Sequence, residues 1–403
     1  MSRRVRDCNG RRLCWDGINS NPHRSMNRLL SRRQWLKAAG LTVATAALAP
    51  HSRLLAASPA LPPRPPRRVV VGNGLIQLCW NENPFGPAES AKGAMREAIG
   101  RACRYPDAEE QTLLEMIAFK EGCSMKQIVM GAGSGEILDV AGFHFGLDKG
   151  EIVAADPSYM QLVNAADRVG GKAVRVPLNS RLEHDLPAMA AAVNARTSLI
   201  YMVNPNNPTG TVCDAAELKQ FVREQSARTT VFIDEAYLEC TDNFAERTCA
   251  PLAVEGRNVV VARTFSKIYG MAGMRLGYGI MPEKLAVSLK ARMTGSLSIV
   301  TLAAAIASLR DFDYVTATRA KLKAGRDALV AQAKALGKEC AVPMGNFVFI
   351  RTGMPIKDFI AKMRLEGVEV GRPFPPMLEW ARITIGLPEE MEVCHRAMRK
   401  VLG

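Results

Sequence analysis

Asn258 to Ile280 reads NVVVARTFSKIYGMAGMRLGYGI. Asn258 to Ala262 is short and valine-rich, as a strand buried in a parallel sheet requires, and it breaks at once into the polar turn Arg263-Thr264-Phe265-Ser266-Lys267. A lysine directly after such a strand stands at the carboxyl edge of the sheet, where open α/β sheets bind their ligands. Partial desolvation there lowers an ammonium pKa toward a usable amine, and lysine amines of that kind form Schiff bases. Thr264 and Ser266 add hydroxyls, and Arg275 adds a guanidinium eight residues past the lysine, a set that suits a phosphate dianion beside the amine. A lone loop lysine is ordinarily solvated surface, so the remaining groups have to come from elsewhere in the chain.

The 403 residues, 48% hydrophobic and 23% charged, suffice for one large domain and a smaller one, each with its own core. A formal charge of +14 points first to nucleic acid, but residues 1–68 hold 14 Lys and Arg against only Asp7 and Asp16, which accounts for +12 of it. The rest is close to neutral, which excludes a nucleic-acid reading of the folded body. Ser31-Arg32-Arg33-Gln34-Trp35-Leu36-Lys37 precedes the apolar run Ala38 to Ala49, and Leu54 to Ala60 follows as an Ala/Ser-rich cleavage region. This resembles a twin-arginine export signal, with Trp35 where phenylalanine is usual. Twelve apolar residues fall short of the roughly 20 that span a bilayer, so no stable membrane span is expected. Residues 1–60 are therefore expected to be an export signal with an upstream tail, and Met26 gives a more typical signal length than Met1. The expected location is periplasmic, or cytoplasmic if the signal does not act. The twin-arginine route carries folded proteins, which suits an enzyme that acquires its cofactor before export. Residues 61–72, with Pro62 to Pro66, read as a stiff linker. Ten cysteines without C-x-x-C and five scattered histidines give no metal spacing; the cysteines are expected to be small buried hydrophobes.

From Gly72 onward short apolar runs alternate with helical patterns, without internal repeat or low-complexity tract. Strands are expected at Gln127 to Met130, Glu151 to Ala154, Ala173 to Val176, Ser198 to Val203, Thr230 to Ile233 and Asn258 to Ala262, with helices between most of them. The fold class is thus α/β, a doubly wound, mainly parallel sheet with helices on both faces. Asp214 with Glu217 makes a capping box for a helix whose apolar stripe is Leu218, Phe221 and Val222. After Ser308 a long charged helix, roughly Asp311 to Leu336, leads to short strands at Phe347 to Ile350, Val368 to Val370 and Ile383 to Ile385. The expected organisation is an N-terminal segment 73–98 packing with a small α/β domain 309–403 across a cleft, and a large domain 99–308 between them.

The expected strands end in polar or tightly turned segments. One runs into Asn204-Pro205-Asn206-Asn207-Pro208-Thr209-Gly210, whose prolines and glycine fix the backbone so that an Asn amide can be aimed at a ligand. Another runs into Asp234-Glu235-Ala236-Tyr237. A carboxylate at a buried strand end costs several kcal/mol unless paired, and a protonated pyridine nitrogen is one partner that keeps it ionised. Tyr237 stands within reach of a ring hydroxyl. Gly131 to Glu136 follows a strand and opens a helix at Ile137, presenting backbone N–H groups to a phosphate without the Walker lysine or the G-x-G-x-x-G spacing. Amine, carboxylate, phosphate cup and ring partners together suggest pyridoxal phosphate.

WNENPFGP at Trp80 to Pro87, RYPD at Arg104 to Asp107, GSGE at Gly133 to Glu136, PSYMQ at Pro157 to Gln161, NPNNPTG, DEAY, RTFSKIYGMAGMRLGYG and RITIG at Arg382 to Gly386 follow one another in this order. Over Leu75 to Gly403 the chain resembles the class I/II aminotransferases of PLP-dependent transferase fold type I, most of all their histidinol-phosphate aminotransferase branch. The resemblance implies that Lys267 holds the cofactor as a Schiff base and moves the proton, that Asp234 pairs with the ring nitrogen, and that Asn207 and Tyr237 bond the ring oxygen. It implies a Tyr159 stacked on the ring, and Ser134, Gly135, Thr264, Ser266 and Arg275 on the phosphate, with Glu136 among the cofactor-binding residues. Tyr105 is expected to reach in from the second subunit of a homodimer with shared sites. Arg382 is expected to clamp the substrate carboxylate, with Asn83 and Arg372 also facing substrate. Gly135 stands where the family has an acid, and Arg372 stands one position from the family's distal arginine. An exported address beside a cytoplasmic pathway points to another amino acid, a peptidoglycan-derived amine or a secondary-metabolite amine as substrate. Transfer of an amino group from an L-amino acid to a 2-oxo acid is the leading reading. A PLP-dependent lyase or decarboxylase, and a non-catalytic binding protein on the same fold, remain alternatives. His144, His184 and His395 are expected to be structural or exposed.

Overall fold

In a computed structural model, residues 74–403 of the chain are described. The expected export segment (1–60) and linker (61–72) lie outside the described residues. Eleven strands occur among those described: β1 (Ile76–Leu78), β2 (Ile128–Gly131), β3 (Glu151–Asp156), β4 (Lys172–Pro177), β5 (Thr197–Val203), β6 (Thr230–Asp234), β7 (Val259–Thr264), β8 (Gly277–Ile280), β9 (Phe347–Arg351), β10 (Val368–Val370) and β11 (Trp380–Thr384). Seven of them form one sheet in the order β2-β8-β7-β6-β5-β3-β4. The ladders β3/β4, β3/β5, β5/β6 and β6/β7 are parallel, whereas β8 runs antiparallel to both β2 and β7.

The valine-rich run behaves as its composition dictates, since every residue of β7 is buried. Helices cover both faces, so one apolar cluster gathers Val153, Ile200, Ile233 and Val261, and a second gathers Ile152, Leu199, Phe232 and Val260. Alternate residues of neighbouring strands thus serve opposite faces, as a pleated sheet requires. Asp214 caps the Ala215–Gln225 helix, its Oδ1 accepting from Ala216 N and Glu217 N. The long charged pattern becomes the Phe312–Ala335 helix. Beyond it β9 and β11 pair antiparallel, and β10 takes β1 as a parallel partner. No helix among the described residues is long and apolar enough to cross a membrane.

Two expectations are corrected. The glycine loop opens its helix at Ser134, three residues before Ile137. The cysteines are not uniformly buried: Cys103 is exposed, and Cys123 and Cys340 are half-buried.

Candidate active site

The carboxyl ends of β5, β6 and β7, together with the turn after β2, open on a cavity of about 940 Å³. Lys267 follows β7 by three residues, and its Nζ donates to the carbonyls of Asn81 (3.0 Å) and Trp80 (3.3 Å). Burial, and next the Arg382 guanidinium, pull its ammonium down to about 8. Asp234, the last residue of β6, is buried and accepts from Ala236 N at 3.1 Å. Burial pushes its carboxyl up to about 7, against the opposing pull of that N–H and of Lys267. Among the described residues it has no ion pair. A deeply buried carboxylate turned to a cavity without a cationic partner is a site for a ligand N–H⁺.

The far end of the cavity offers donors to an anion. Ser134 begins a 13-residue helix whose N-cap, Gly133, brings no side-chain cap, so first-turn N–H groups remain to be satisfied there. Gly133 has φ 84°, and a Cβ on it would fall 2.2 Å from Arg275 Nη2, so glycine is what lets the guanidinium lie against the turn. Arg275 itself is left-handed, φ 54°, a conformation that non-glycine residues take at some cost. Its guanidinium reaches Ser266 Oγ (3.4 Å), Ala272 O (2.9 Å) and Ala132 O (3.3 Å), with no carboxylate paired to it among the described residues. Thr264 Oγ1 donates to Ser266 Oγ at 3.0 Å, and both residues line the same wall.

Glu136 is a correction: it is absent from the cavity lining, and its carboxylate accepts from Ala132 N (2.7 Å) and Gly295 N (3.1 Å). It ties the glycine loop to the 295 segment, and a carboxylate is in any case the wrong charge for a phosphate partner.

The opposite wall is a buried hydrogen-bond system. Tyr237 Oη accepts from Asn81 Nδ2 (3.1 Å) and Asn207 Nδ2 (3.4 Å), and burial pushes its hydroxyl up to about 12. Arg382 donates through Nη1 to Asn207 Oδ1 and through Nη2 to Cys79 O, both 2.6 Å. Its Nε is buried without a partner, and burial pushes the guanidinium down to about 10. An incompletely satisfied buried guanidinium beside an amine suits a substrate carboxylate. Tyr159 lines the cavity, donating to Gln161 Oε1 at 2.7 Å.

Asn83 is a second correction. It does not line the cavity, because its Nδ2 donates to Ile268 O (2.8 Å) and Tyr314 Oη (3.1 Å), bracing the lysine loop. Asn81, two residues earlier and left-handed at φ 55°, is the asparagine of that motif that faces the site. Tyr105 is 92% exposed and outside the cavity of its own chain. Arg372 lines the outer cavity, its guanidinium 4.4 Å from the Phe374 ring centroid. His184 is buried on Val203 O at 2.7 Å and held down to about 4 by burial, far from proton-transfer work at neutral pH. Sequence reasoning missed Asn81, Gln161 and Asn346; the last donates to the carbonyls of Asn81 (3.0 Å) and Glu82 (3.1 Å) and so fixes the backbone that holds Lys267.

These groups fit pyridoxal phosphate: an uncompensated carboxylate for a pyridinium, a helix end with Arg275 for a phosphate, and an amine of lowered pKa for an aldehyde. Residues 73–398 match the family described as aminotransferase class I and II. A histidinol-phosphate aminotransferase of Moorella thermoacetica is 35% identical over 357 residues, covering 87% of this chain and 92% of that protein. One from an Anaeromyxobacter species is 37% identical over 341 residues, 82% of this chain and 92% of its own. The crystal structure of the Sinorhizobium meliloti histidinol-phosphate aminotransferase in complex with pyridoxal 5′-phosphate superposes with a TM-score of 0.72 at 28% identity, covering 81% and 90% of the two chains. Agreement over nearly all of the described chain, on a cavity whose charges call for this cofactor, means that the protein belongs to the class I and II aminotransferases and is a pyridoxal-phosphate-dependent transaminase.

Proposed function

We propose that the chain moves an amino group from an amine carrying an anionic group to a 2-oxo acid, with histidinol phosphate, named in its relatives, as the first amine to test. The observation that carries this reading is Arg382, buried beside Lys267 with Nε unpartnered, a fork prepared for one anion, either the phosphate of histidinol phosphate or the carboxylate of the 2-oxo acid. Farther out, Lys357 and Arg372 line the cavity and supply positive charge for a second anion, while Arg364 is held on Glu369 at 2.6 Å.

Pyridoxal phosphate, when bound, supplies an aldehyde and an electron-accepting ring. The chain supplies the rest. Asp234 would accept the ring N–H⁺, which would favour its charged form. Asn207 and Tyr237 would offer an amide and a hydroxyl to the ring oxygen, and Tyr159 would pack on the ring. Lys267 Nζ, near pH 8 in its proton balance, takes a proton from the substrate carbon and returns one, as a general base poised close to working pH does. Arg382 would hold the anionic group of either substrate, phosphate or carboxylate, so that the reacting carbon stays within reach of that nitrogen.

The test is a panel of amino donors, including histidinol phosphate and other amino acids, against 2-oxoglutarate and pyruvate, with spectra from 300 to 500 nm. A loss of the bound aldehyde's absorbance on adding amine without oxo acid, restored by oxo acid, supports the reading; pyruvate with ammonia as products would replace it with a lyase. The export-based expectation of another substrate is decided in the same panel.

Two further proposals concern the whole protein. It works as a homodimer, supported by exposed apolar side chains at Ile99, Tyr105 and Phe119. It is exported to the periplasm, supported by the Arg32-Arg33 motif before an apolar run. Replacing both arginines by lysine is expected to retain the protein in the cytoplasmic fraction; an unchanged distribution would remove the export proposal.

A further inference from the structure

Gln161 lies beside the phosphate end of the cavity and uses its whole amide. Oε1 accepts from Tyr159 Oη at 2.7 Å, and Nε2 donates to Gly135 O and to Asp139 Oδ2, both at 3.0 Å. Gly135 and Asp139 stand in the first turns of the Ser134–Gly146 helix, so one side chain ties the tyrosine to the element that presents the phosphate donors. The approach depends on the glycine. A Cβ at position 135 would lie 3.1 Å from Gln161 Nε2 and 3.3 Å from Oε1, closer than side chains ordinarily tolerate. Asp139 has no ion pair among the described residues, so the amide is the partner that satisfies it.

From this arrangement we infer that Gln161 is a positioning residue: it fixes the ring plane of Tyr159 against the bound cofactor and couples that ring to the phosphate cup, in space that Gly135 leaves free. The inference rests on the aminotransferase reading and adds a residue to it. The polarity is set by the neighbours. Gly135 O and Asp139 accept only, so the group between them must donate twice, and Tyr159 Oη donates, so the group must also accept once. A primary amide meets all three demands, whereas a carboxylate at 161 would face Asp139 and a carbonyl with no proton to offer.

The test uses the full chain, freed of cofactor and titrated with pyridoxal phosphate, reading the dissociation constant and the circular dichroism of the bound chromophore as well as kcat and KM. Gln161→Leu is expected to raise the dissociation constant about tenfold, the worth of one well-placed hydrogen bond, and to change the chromophore's dichroism. Tyr159→Phe, which keeps the ring and frees it, should reproduce much of that change. The double variant should be no worse than Gln161→Leu alone, because the two act through one bond. Gln161→Glu should bind more weakly than Gln161→Leu. If Gln161→Leu does not fold, Gln161→Asn, with the amide drawn back by one methylene, is expected to give the same dichroic change. Wild-type affinity and dichroism in the Gln161 variants, or losses that multiply in the double variant, would overturn this inference alone. A wild-type chain with no affinity for pyridoxal phosphate would overturn the aminotransferase reading and this inference with it.

Discussion

Asp234 and Lys267 oppose one another across the pH scale, and the direction of each shift sets what pH does to the protein. Asp234, raised from 3.8 to about 7, keeps a proton in the folded chain that the unfolded chain has lost, so this residue costs stability as pH rises through that window. Lys267, lowered from 10.5 to about 8, does the reverse: its charge costs stability below about 8, and the cost fades as pH rises toward 10.5. Without cofactor both costs are present in full together only between about 7 and 8. On the proposed roles, pyridoxal phosphate would relieve both, by giving Asp234 a cation and by engaging the amine. The gain in Tm on adding cofactor should therefore peak near pH 7 to 8 and decline on either side; a gain that varies in one direction from pH 5 to 10 would refute the assignment. In Asp234→Asn the acid side of that curve should flatten. Arg382→Lys removes the fork, and KM for amine and oxo acid is expected to rise about 10- to 100-fold with the cofactor's dissociation constant unchanged. Lys267, Asp234 and Arg382 were legible in the sequence because each follows or lies in a strand and carries a charge that has to be accounted for. Asn81 and Gln161 were not, since a neutral amide in a motif gives no such signal, and choosing Asn81 over Asn83 needs the backbone turn itself.

The elements that hold these residues are joined by a buried charge cluster on the other side of β6 and β7. Arg263 pairs with Glu235 at 3.0 Å and Glu121 at 3.3 Å, and Lys120 pairs with Glu239 at 2.7 Å and touches Tyr269 and Tyr278. Arg263 precedes Thr264 within β7, where adjacent residues point to opposite faces, and Glu235 follows Asp234 directly after β6. The cluster therefore anchors the Asp107–Glu121 helix to the strands that present cofactor ligands. Arg263→Met leaves Glu235 buried without its cation and Glu121 with only Lys120 at 3.6 Å, and urea unfolding is expected to show a loss of about 3–5 kcal/mol. A loss under about 1 kcal/mol would mean that water or a relaxed carboxylate replaces the pair. Parallel strands were readable as valine-rich runs with polar ends, and the Phe312–Ala335 helix from its charged periodicity. β8 was not. Its sequence, Gly-Tyr-Gly-Ile, reads as loop, yet a Cβ on Gly277 would fall 2.2 Å from Ser134 N, so the glycine is there to let the phosphate-binding turn close on the sheet. The requirement that hides the strand from composition is the one that builds the site.

A whole molecule with a near-neutral body still leaves large apolar side chains in water, at Trp80, Val287, Phe312, Val342 and Leu365 among others, with three more in one short stretch. Ile99 is 63% exposed, Tyr105 92% and Phe119 91%, and all three lie within the two helices Glu89–Ile99 and Asp107–Glu121 or the turn between them. These three residues are the ones the proposed homodimer contact is expected to cover, and on that proposal each Tyr105 serves the other chain's cavity. Sedimentation of the purified protein is then expected to give a dimer. The sharper test mixes two inactive or weakened variants, Lys267→Ala and Tyr105→Ala, and lets their subunits exchange. If Tyr105 serves the neighbouring site, each hybrid dimer has one cavity with both residues intact. Random exchange makes half the dimers hybrids, so activity should recover to about a quarter of the wild-type value. If Tyr105 serves its own chain or none, no hybrid contains a restored site and the mixture stays at the average of the two parents. Recovery at the expected level would tie the exposed tyrosine, the dimer and the lysine into one shared site; its absence would take Tyr105 out of the neighbouring chain's site, whatever the sedimentation shows.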